Sequence, residues 1–499
     1  MKKKKYGGYK NLHEDKTGLL KHREWRGFKD TLVDYWRWLV TWKDMVVMVL
    51  KNPIAVVKGL WRYRWMATYL STPAFVDRHT EGLRGPQLLM THLHFNMIVK
   101  HATGLILTAF EADEKMFPKN KNSKKLVCVD ELIPAEFIAG FPNLKMYPMQ
   151  TMPIFLSSMV DQLIVPPYLD AIESFGVPAD VCPLPSAEAG VCVEDDYPKL
   201  GKCMITCNMP CDGSIMTTTF QDRYFKLPTH VYNVPLRYKG EDVQKYAVDE
   251  IKDMIKFVEE QTGEKWNWDT FIAALESYNK QLDYELKKWD VNKTQYPQMT
   301  GATFWLYRLY YYHLSGGYDK RFLKVDKKVN KIMEKAYAKK TKASKEMRHR
   351  AIVWSCPANY YTSFANWLEN CWGINVVMDM ETMISYLKFR TDTHEHALED
   401  LAKTDQRATT IIHKARLCVP TQKVVTQTFS TSAGALRKNT TSILSLCTTR
   451  FPARVWTDSS VSSTIRQERK ATTSFGCNKT LWTAEPYLVE ICANKSTSI

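Results

Sequence analysis

Between about residue 120 and residue 379 the chain alternates short apolar runs with helical stretches, and that rhythm admits few folds. Apolar runs of strand length occupy Lys124–Val129, Leu132–Phe141, Lys202–Cys207 and Thr229–Pro235. Strands that alternate with helices imply a parallel sheet, because each crossover helix returns the chain to the same end of the sheet. The pattern then restarts, with a strand at Arg350–Cys356, a helix at Ser363–Cys371 and a strand at Ile374–Asp379.

The fold class expected is α/β, with two Rossmann-like parallel-sheet domains, a helical insert and a helical N-terminal extension. Segment boundaries follow from changes in texture. Residues 1–120 form the extension, 121–240 the first α/β domain, 241–345 a charged helical region and 346–404 a second, truncated α/β domain. Residues 405–499 form a tail without period. In the extension, Trp36, Leu39, Val40, Lys43 and Val47 recur at helical spacing, and Asn52-Pro53 is a helix stop. Its Trp-rich face is expected to pack on the chain's own core, with a membrane surface or a partner subunit as alternatives.

No apolar core of a signal peptide follows the basic start before Glu14 and Asp15 intervene, so a cytoplasmic protein is expected. The most apolar stretch, Trp38–Trp61, contains Lys43, Asp44, Lys51 and Lys58, which excludes a transmembrane segment. A net charge of +16 raises nucleic acid as a partner, but its distribution argues against one. From Thr404 to Ile499 there are 13 Lys and Arg against 5 Asp and Glu, so half of the excess sits in the tail.

Of twelve cysteines, Cys182, Cys192, Cys203, Cys207 and Cys211 fall within thirty residues. In a reducing compartment such a cluster speaks for metal binding or catalysis rather than disulfides. Cys192, Cys203 and Cys207 lie on or beside apolar segments and read as core. Cys182 and Cys211 sit in proline-containing loops. Cys211 follows a strand and precedes a helix, where backbone N–H groups and the helix dipole favour a thiolate. No CxxC pair is present, which argues against a zinc ribbon or a ferredoxin-type cluster. The pairs His92/His94 and His394/His396 are spaced i, i+2 and cannot share a helix face.

These residues resemble the 2-hydroxyacyl-CoA dehydratase and benzoyl-CoA reductase family. Ile133-Pro134-Ala135-Glu136-Phe137-Ile138-Ala139-Gly140-Phe141 is similar to that family's P-x-E element, and Cys182-Pro183 with Cys211-Asp212 to its first two cluster cysteines. Residues 352–379 resemble its second α/β domain. The context of Cys211 suggests the larger, alpha-type subunit. The resemblance implies a 4Fe-4S cluster held by Cys182, Cys211 and a third cysteine from a Ser-Cys loop. It also implies a smaller homologous subunit, an ATP-dependent Fe–S activator and an acyl-CoA substrate. Glu136 is the candidate catalytic carboxylate, with a helix-surface glutamate as the alternative; Ser186 and Glu188 read as possible helix caps.

No cysteine near the C-terminus has the Ser-Cys context. Ser and Thr make up 29 of the last 96 residues, and a shifted codon frame restores family-like sequence there. Beginning at Leu417, it permits Met-Arg-x-His-Thr-Lys-Gly-Gly-Tyr across Leu417–Thr426. Across Phe451–Ser459 it permits Ser-Cys-Lys-Gly-Met-Asp-Gly-Leu. The tail is therefore expected to be out of frame, to add no strands to the second sheet and to leave this copy inactive. Two other classes compete: a non-catalytic Fe–S relay subunit of an acyl-CoA reductase, and a basic surface-binding protein without a cluster that uses the Trp-rich extension and Lys335–Lys345.

Overall fold

The computed structural model describes residues 28–62, 83–113, 116, 125–130, 133–149, 165–179, 181–197, 201–208, 212–235, 240–292, 294–301, 303, 320–343, 347–354, 368–369, 373–379, 388–403, 443–449 and 474–478. Three helices open the chain: α1 (Phe28–Lys51), α2 (Pro53–Arg62) and α3 (Gly85–Ala112). The break between α1 and α2 falls at Asn52-Pro53, as the missing proline N–H dictates. Both α1 and α2 lie along α3. The Trp-rich face does not pack on the core as expected: Trp36, Trp42 and Trp61 are 64%, 54% and 73% exposed.

The first sheet comprises β1 (Leu126–Val129), β2 (Lys145–Pro148), β3 (Cys203–Cys207) and β4 (Thr229–Tyr232). Its order is β2-β1-β3-β4 and every pairing is parallel. Between the strands run α4 (Ala135–Ile138), α5 (Pro166–Ser174), α6 (Pro183–Val193) and α7 (Asp212–Phe225). The strand residues divide cleanly by parity. Val127, Val129, Cys203, Ile205 and Cys207 face one apolar cluster, while Leu126, Cys128 and Met204 face another. Both faces are thus covered, which is why the central strands lack polar alternation.

One apolar run behaves otherwise than its composition suggests. Leu132–Phe141 was expected as a strand, yet its described residues form the single turn α4 and a succession of tight turns after Pro134. The strand paired to β1 lies further on, at Lys145–Pro148, where exposed Lys145 and terminal Pro148 mark an edge.

Beyond β4, α8 (Glu241–Thr262), α9 (Trp268–Asn292) and α10 (Lys320–Ala338) form the expected helical region and cover the first apolar face. Tyr310–Tyr312 lie outside the described residues. The second sheet contains β5 (His349–Trp354), β6 (Ile374–Asp379), β7 (Ile443–Thr449) and β8 (Ser474–Asn478). It repeats the order of the first, β6-β5-β7-β8, again all parallel. Two of its strands come from the tail, so the expectation that the sheet stops at residue 404 is corrected. Ile443, Leu444, Leu446 and Cys447, followed by Thr448 and Thr449, make an apolar and β-branched run long enough to pair.

Candidate functional site

A parallel sheet of order β2-β1-β3-β4 has a topological switch point between β1 and β3. There the connections leave toward opposite faces, and the carboxyl ends of the strands at such a point are the usual ligand position in open α/β sheets. The sequence places Asp130 and the Glu136 loop after β1, and Asn208 after β3. The helix α6 runs back toward the start of β3, so its N-terminus also lies at the carboxyl end of the sheet, and Cys182 is its N-cap.

Each of these residues is positioned by identifiable contacts. Asp130 is buried, and its N–H donates to the Ile205 carbonyl at 2.9 Å, continuing the β1–β3 ladder. Glu136 is buried at 7% exposure; it is not the helix-surface glutamate considered above. Its loop is docked on the start of α9, where Thr270 Oγ1 donates to the Ala139 carbonyl at 2.7 Å and the Asn267 N–H to the Gly140 carbonyl at 2.8 Å. Trp266 packs against Phe137 and Phe141 with ring centroids 5.4 and 5.1 Å away. A Cβ on Gly140 would stand 2.3 Å from that indole, so only glycine permits the approach. The Ala139-Gly140 pair therefore serves to seat the short helix carrying Glu136.

Cys182 is 4% exposed and has no disulfide partner. Pro183 suits the first turn of α6, where its missing N–H is no loss. Two contacts fix α6 in place. A Cβ on Gly190 would meet the Tyr168 carbonyl oxygen at 2.1 Å, so α5 and α6 touch backbone to side-chain-less backbone. Thr217 Oγ1 of α7 donates to the Pro185 carbonyl at 3.1 Å. The same contact brings the first turns of α7 beside the first turn of α6. Asn208 clamps the end of β3 to the chain after β4: its Nδ2 donates to the Val234 carbonyl at 3.2 Å and its Oδ1 accepts from Val234 N–H at 2.9 Å. Cys211, between Asn208 and α7, lies outside the described residues.

The remaining cysteines behave as core. Cys203 and Cys207 are fully buried strand residues, and burial pushes the Cys203 thiol up to about 12. Burial, with the charge of Glu188 adding to it, keeps Cys192 protonated; burial does the same at Cys128. Ser186 and Glu188 are not caps. Both are buried within α6, and Gln221 Nε2 donates to Glu188 Oε2 at 3.4 Å. His92 and His94 are buried on α3, and burial, with Lys288 nearby, holds His94 neutral. His394 stacks on Trp268 at 4.1 Å, while His396 Nδ1 lies 2.9 Å from Asp392 Oδ2. Among the described residues, no three His, Cys, Asp or Glu side chains group as a metal site. Cys182 alone of the described thiols stands at a helix N-terminus.

Asp130 and Glu369 are two of several buried carboxyl groups that the sequence barely marks. Asp130 was signalled only by standing directly after an apolar run. Glu369 is buried and accepts from Asn375 Nδ2 at 2.9 Å. Burial raises its carboxyl to about 7 against the hydrogen bonds from Thr300 and Asn375. Gly301, at φ +55°, passes so close that a Cβ would stand 2.3 Å from that carboxyl carbon.

Two parallel four-stranded sheets of the same strand order, with helices between the strands of the first, define an α/β protein. The model of the family described as 2-hydroxyglutaryl-CoA dehydratase, D-component, matches residues 164–417, about half of the chain. The chain belongs to that dehydratase family. The match contains Cys182 and Cys211 and begins after Glu136. No curated protein matches the chain. No helix among the described residues is long and apolar enough to cross a membrane.

Proposed function

We propose that the chain is the larger, alpha-type subunit of an iron–sulfur 2-hydroxyacyl-CoA dehydratase that removes water from a 2-hydroxyacyl-CoA to give an enoyl-CoA. The observation that carries this reading is the family match over residues 164–417, within which Cys182 stands at the N-terminus of α6. The β-proton of a saturated 2-hydroxyacyl thioester is too weakly acidic for ordinary base catalysis. Adding one electron to the thioester carbonyl gives a ketyl that expels the 2-hydroxyl group. The resulting enoxy radical has an acidified β-proton, and once that proton is lost the electron is returned.

Cys182 and Cys211 are the thiolates proposed to hold a 4Fe-4S cluster. When bound, such a cluster supplies the electron and an open iron able to act as a Lewis acid. The work of this chain's own residues is orientation and proton transfer. Buried Glu136, on a loop held rigid by Trp266 and Thr270, is the proposed proton carrier.

The third ligand is proposed to lie in the shifted codon frame. This is supported by the family match, which ends at residue 417, where the shifted reading starts. In that reading the chain as written lacks activity, and resequencing the gene from codon 400 to codon 460 tests it directly.

The decisive experiment is anaerobic expression of the frame-corrected chain. Charge-transfer absorption near 400 nm with bound iron is expected. Cys182→Ser should abolish both, and Cys203→Ser should leave both in place; a Cys182→Ser protein with full iron content would sink the assignment. Adding acyl-CoA to the reduced complex and seeing this subunit's cluster spectrum unchanged would indicate a relay subunit instead.

A further inference from the structure

The exposed face of α1 repeats with a period that the dehydratase reading does not need. Phe28, Leu32, Tyr35, Leu39, Trp42, Val46 and Val49 follow one another at spacings of 4, 3, 4, 3, 4 and 3 residues. Each is exposed, from 40% at Val49 to 72% at Phe28. This is an unbroken a/d seam: Leu32, Leu39 and Val46 take one position, and Phe28, Tyr35, Trp42 and Val49 the other. Packing among the described residues does not explain it, because α1 lies on α3 through a different face, which carries Asp30 bonded to the Gly85 N–H.

We infer that α1 is a dimerisation helix that pairs with α1 of a second copy of this chain along that seam. The size of the face is the first argument. Its ten exposed large apolar side chains leave on the order of 1,000 Å² of apolar surface in water, judged from ordinary side-chain areas. That exceeds the few hundred Å² a monomer tolerates and is comparable with the roughly 800 Å² each partner buries in a stable complex.

The second argument is the placing of charge. The positions flanking the seam are Lys29, Trp36, Lys43 and Leu50 on one side, and Thr31, Trp38 and Met45 on the other. One side carries no charge at all, so two parallel copies set no lysine against a lysine. At the rim of a helix pair the ammonium of Lys43 reaches water, with Trp36 and Leu50 beside it. In a helix lying on lipid the same lysine would sit inside the buried arc, between Trp36 and Trp42. The strict seven-residue repeat is likewise a requirement of helix-on-helix packing, whereas an interfacial helix needs only an apolar side.

Sedimentation equilibrium on the full chain, over a micromolar range, tests the pairing. The expected result is a dimer that Leu39→Glu and Trp42→Glu each weaken at least 100-fold, with helix content by circular dichroism unchanged. Lys51→Glu, on the same helix but off the seam, should leave the dimer intact. Leu39→Cys, near the middle of the seam, should give an intermolecular disulfide at that position on mild oxidation. A chain that is monomeric throughout, or variants that dimerise as tightly as the parent, would overturn the proposal. So would a monomer that co-sediments with phosphatidylglycerol vesicles and loses that binding on Trp42→Glu.

Discussion

Glu369 shows how much one buried side chain can impose on the pH dependence of the whole. Its carboxyl titrates near 7 in the folded chain because burial disfavours the charged form, against about 4.5 when unfolded. The folded state therefore binds a proton that the unfolded state has lost. Stability from this group is fully present below about pH 4.5, declines as the pH rises, and is gone above about 7. The drop amounts to about 3 kcal/mol at most, from about 1.4 kcal/mol per unit of displacement. Urea titrations between pH 5 and pH 8 should show this decline, and Glu369→Gln should flatten it. An unchanged slope in that variant would assign the pH dependence elsewhere. Gly301 has no room to change independently, since any side chain there occupies the space of the carboxyl group.

At the level of elements, α9 and α10 are joined by a charge pair out of reach of water. Lys288 Nζ lies 2.7 Å from Asp326 Oδ1, with side chains 4% and 1% exposed, and Gln281 Nε2 donates to the other carboxylate oxygen at 3.0 Å. Lys288→Met should leave Asp326 buried without its countercharge and destabilise the chain by about 3–5 kcal/mol. Adding Asp326→Leu should recover most of that loss, because an apolar pair of similar volume suits the same site. Denaturation of the single and double variants checks both statements. The helices themselves were legible in the charged, periodic run from residue 242 to residue 345; their buried ionic contact was not, because Lys288 and Asp326 are ordinary helix residues until tertiary packing removes their water. The seam on α1 is masked for the opposite reason: Trp36, Leu39 and Val47 have the spacing of a helix face that packs on its own core, whereas the seven-residue repeat through Phe28, Tyr35 and Trp42 is exposed.

For the molecule as a whole, the central strands β1 and β3 were legible because strands covered on both faces need uninterrupted apolar runs. The edge strand β2 was not, since exposed Lys145 and Pro148 carry no such run. Proline beside cysteine marked Cys182 as a loop thiol, and the apolar run Lys202–Cys207 marked Cys203 and Cys207 as core. The second sheet gained strands where the tail's composition promised none. Dehydration is expected to require the whole assembly: a smaller homologous subunit, an ATP-hydrolysing activator and the frame-corrected chain together. Product formation from a 2-hydroxyacyl-CoA by that corrected chain alone, without ATP, would contradict it.

The shared strand order has a further consequence for synthesis. In β2-β1-β3-β4 every new strand joins an existing edge: β2 on one side of β1, β3 on the other, then β4 outside β3. No formed pair has to open to admit a later one, and the second sheet grows in the same way. The first sheet can thus be paired by the time Tyr232 is made. The apolar face of Val127, Val129, Cys203, Ile205 and Cys207, however, waits for α8 to α10. At about 5–20 residues per second, the hundred or so residues from Glu241 to Ala338 take roughly 5–20 s to appear. For that interval the nascent chain presents a finished sheet with an incomplete cover, a natural substrate for a chaperone at the ribosome exit.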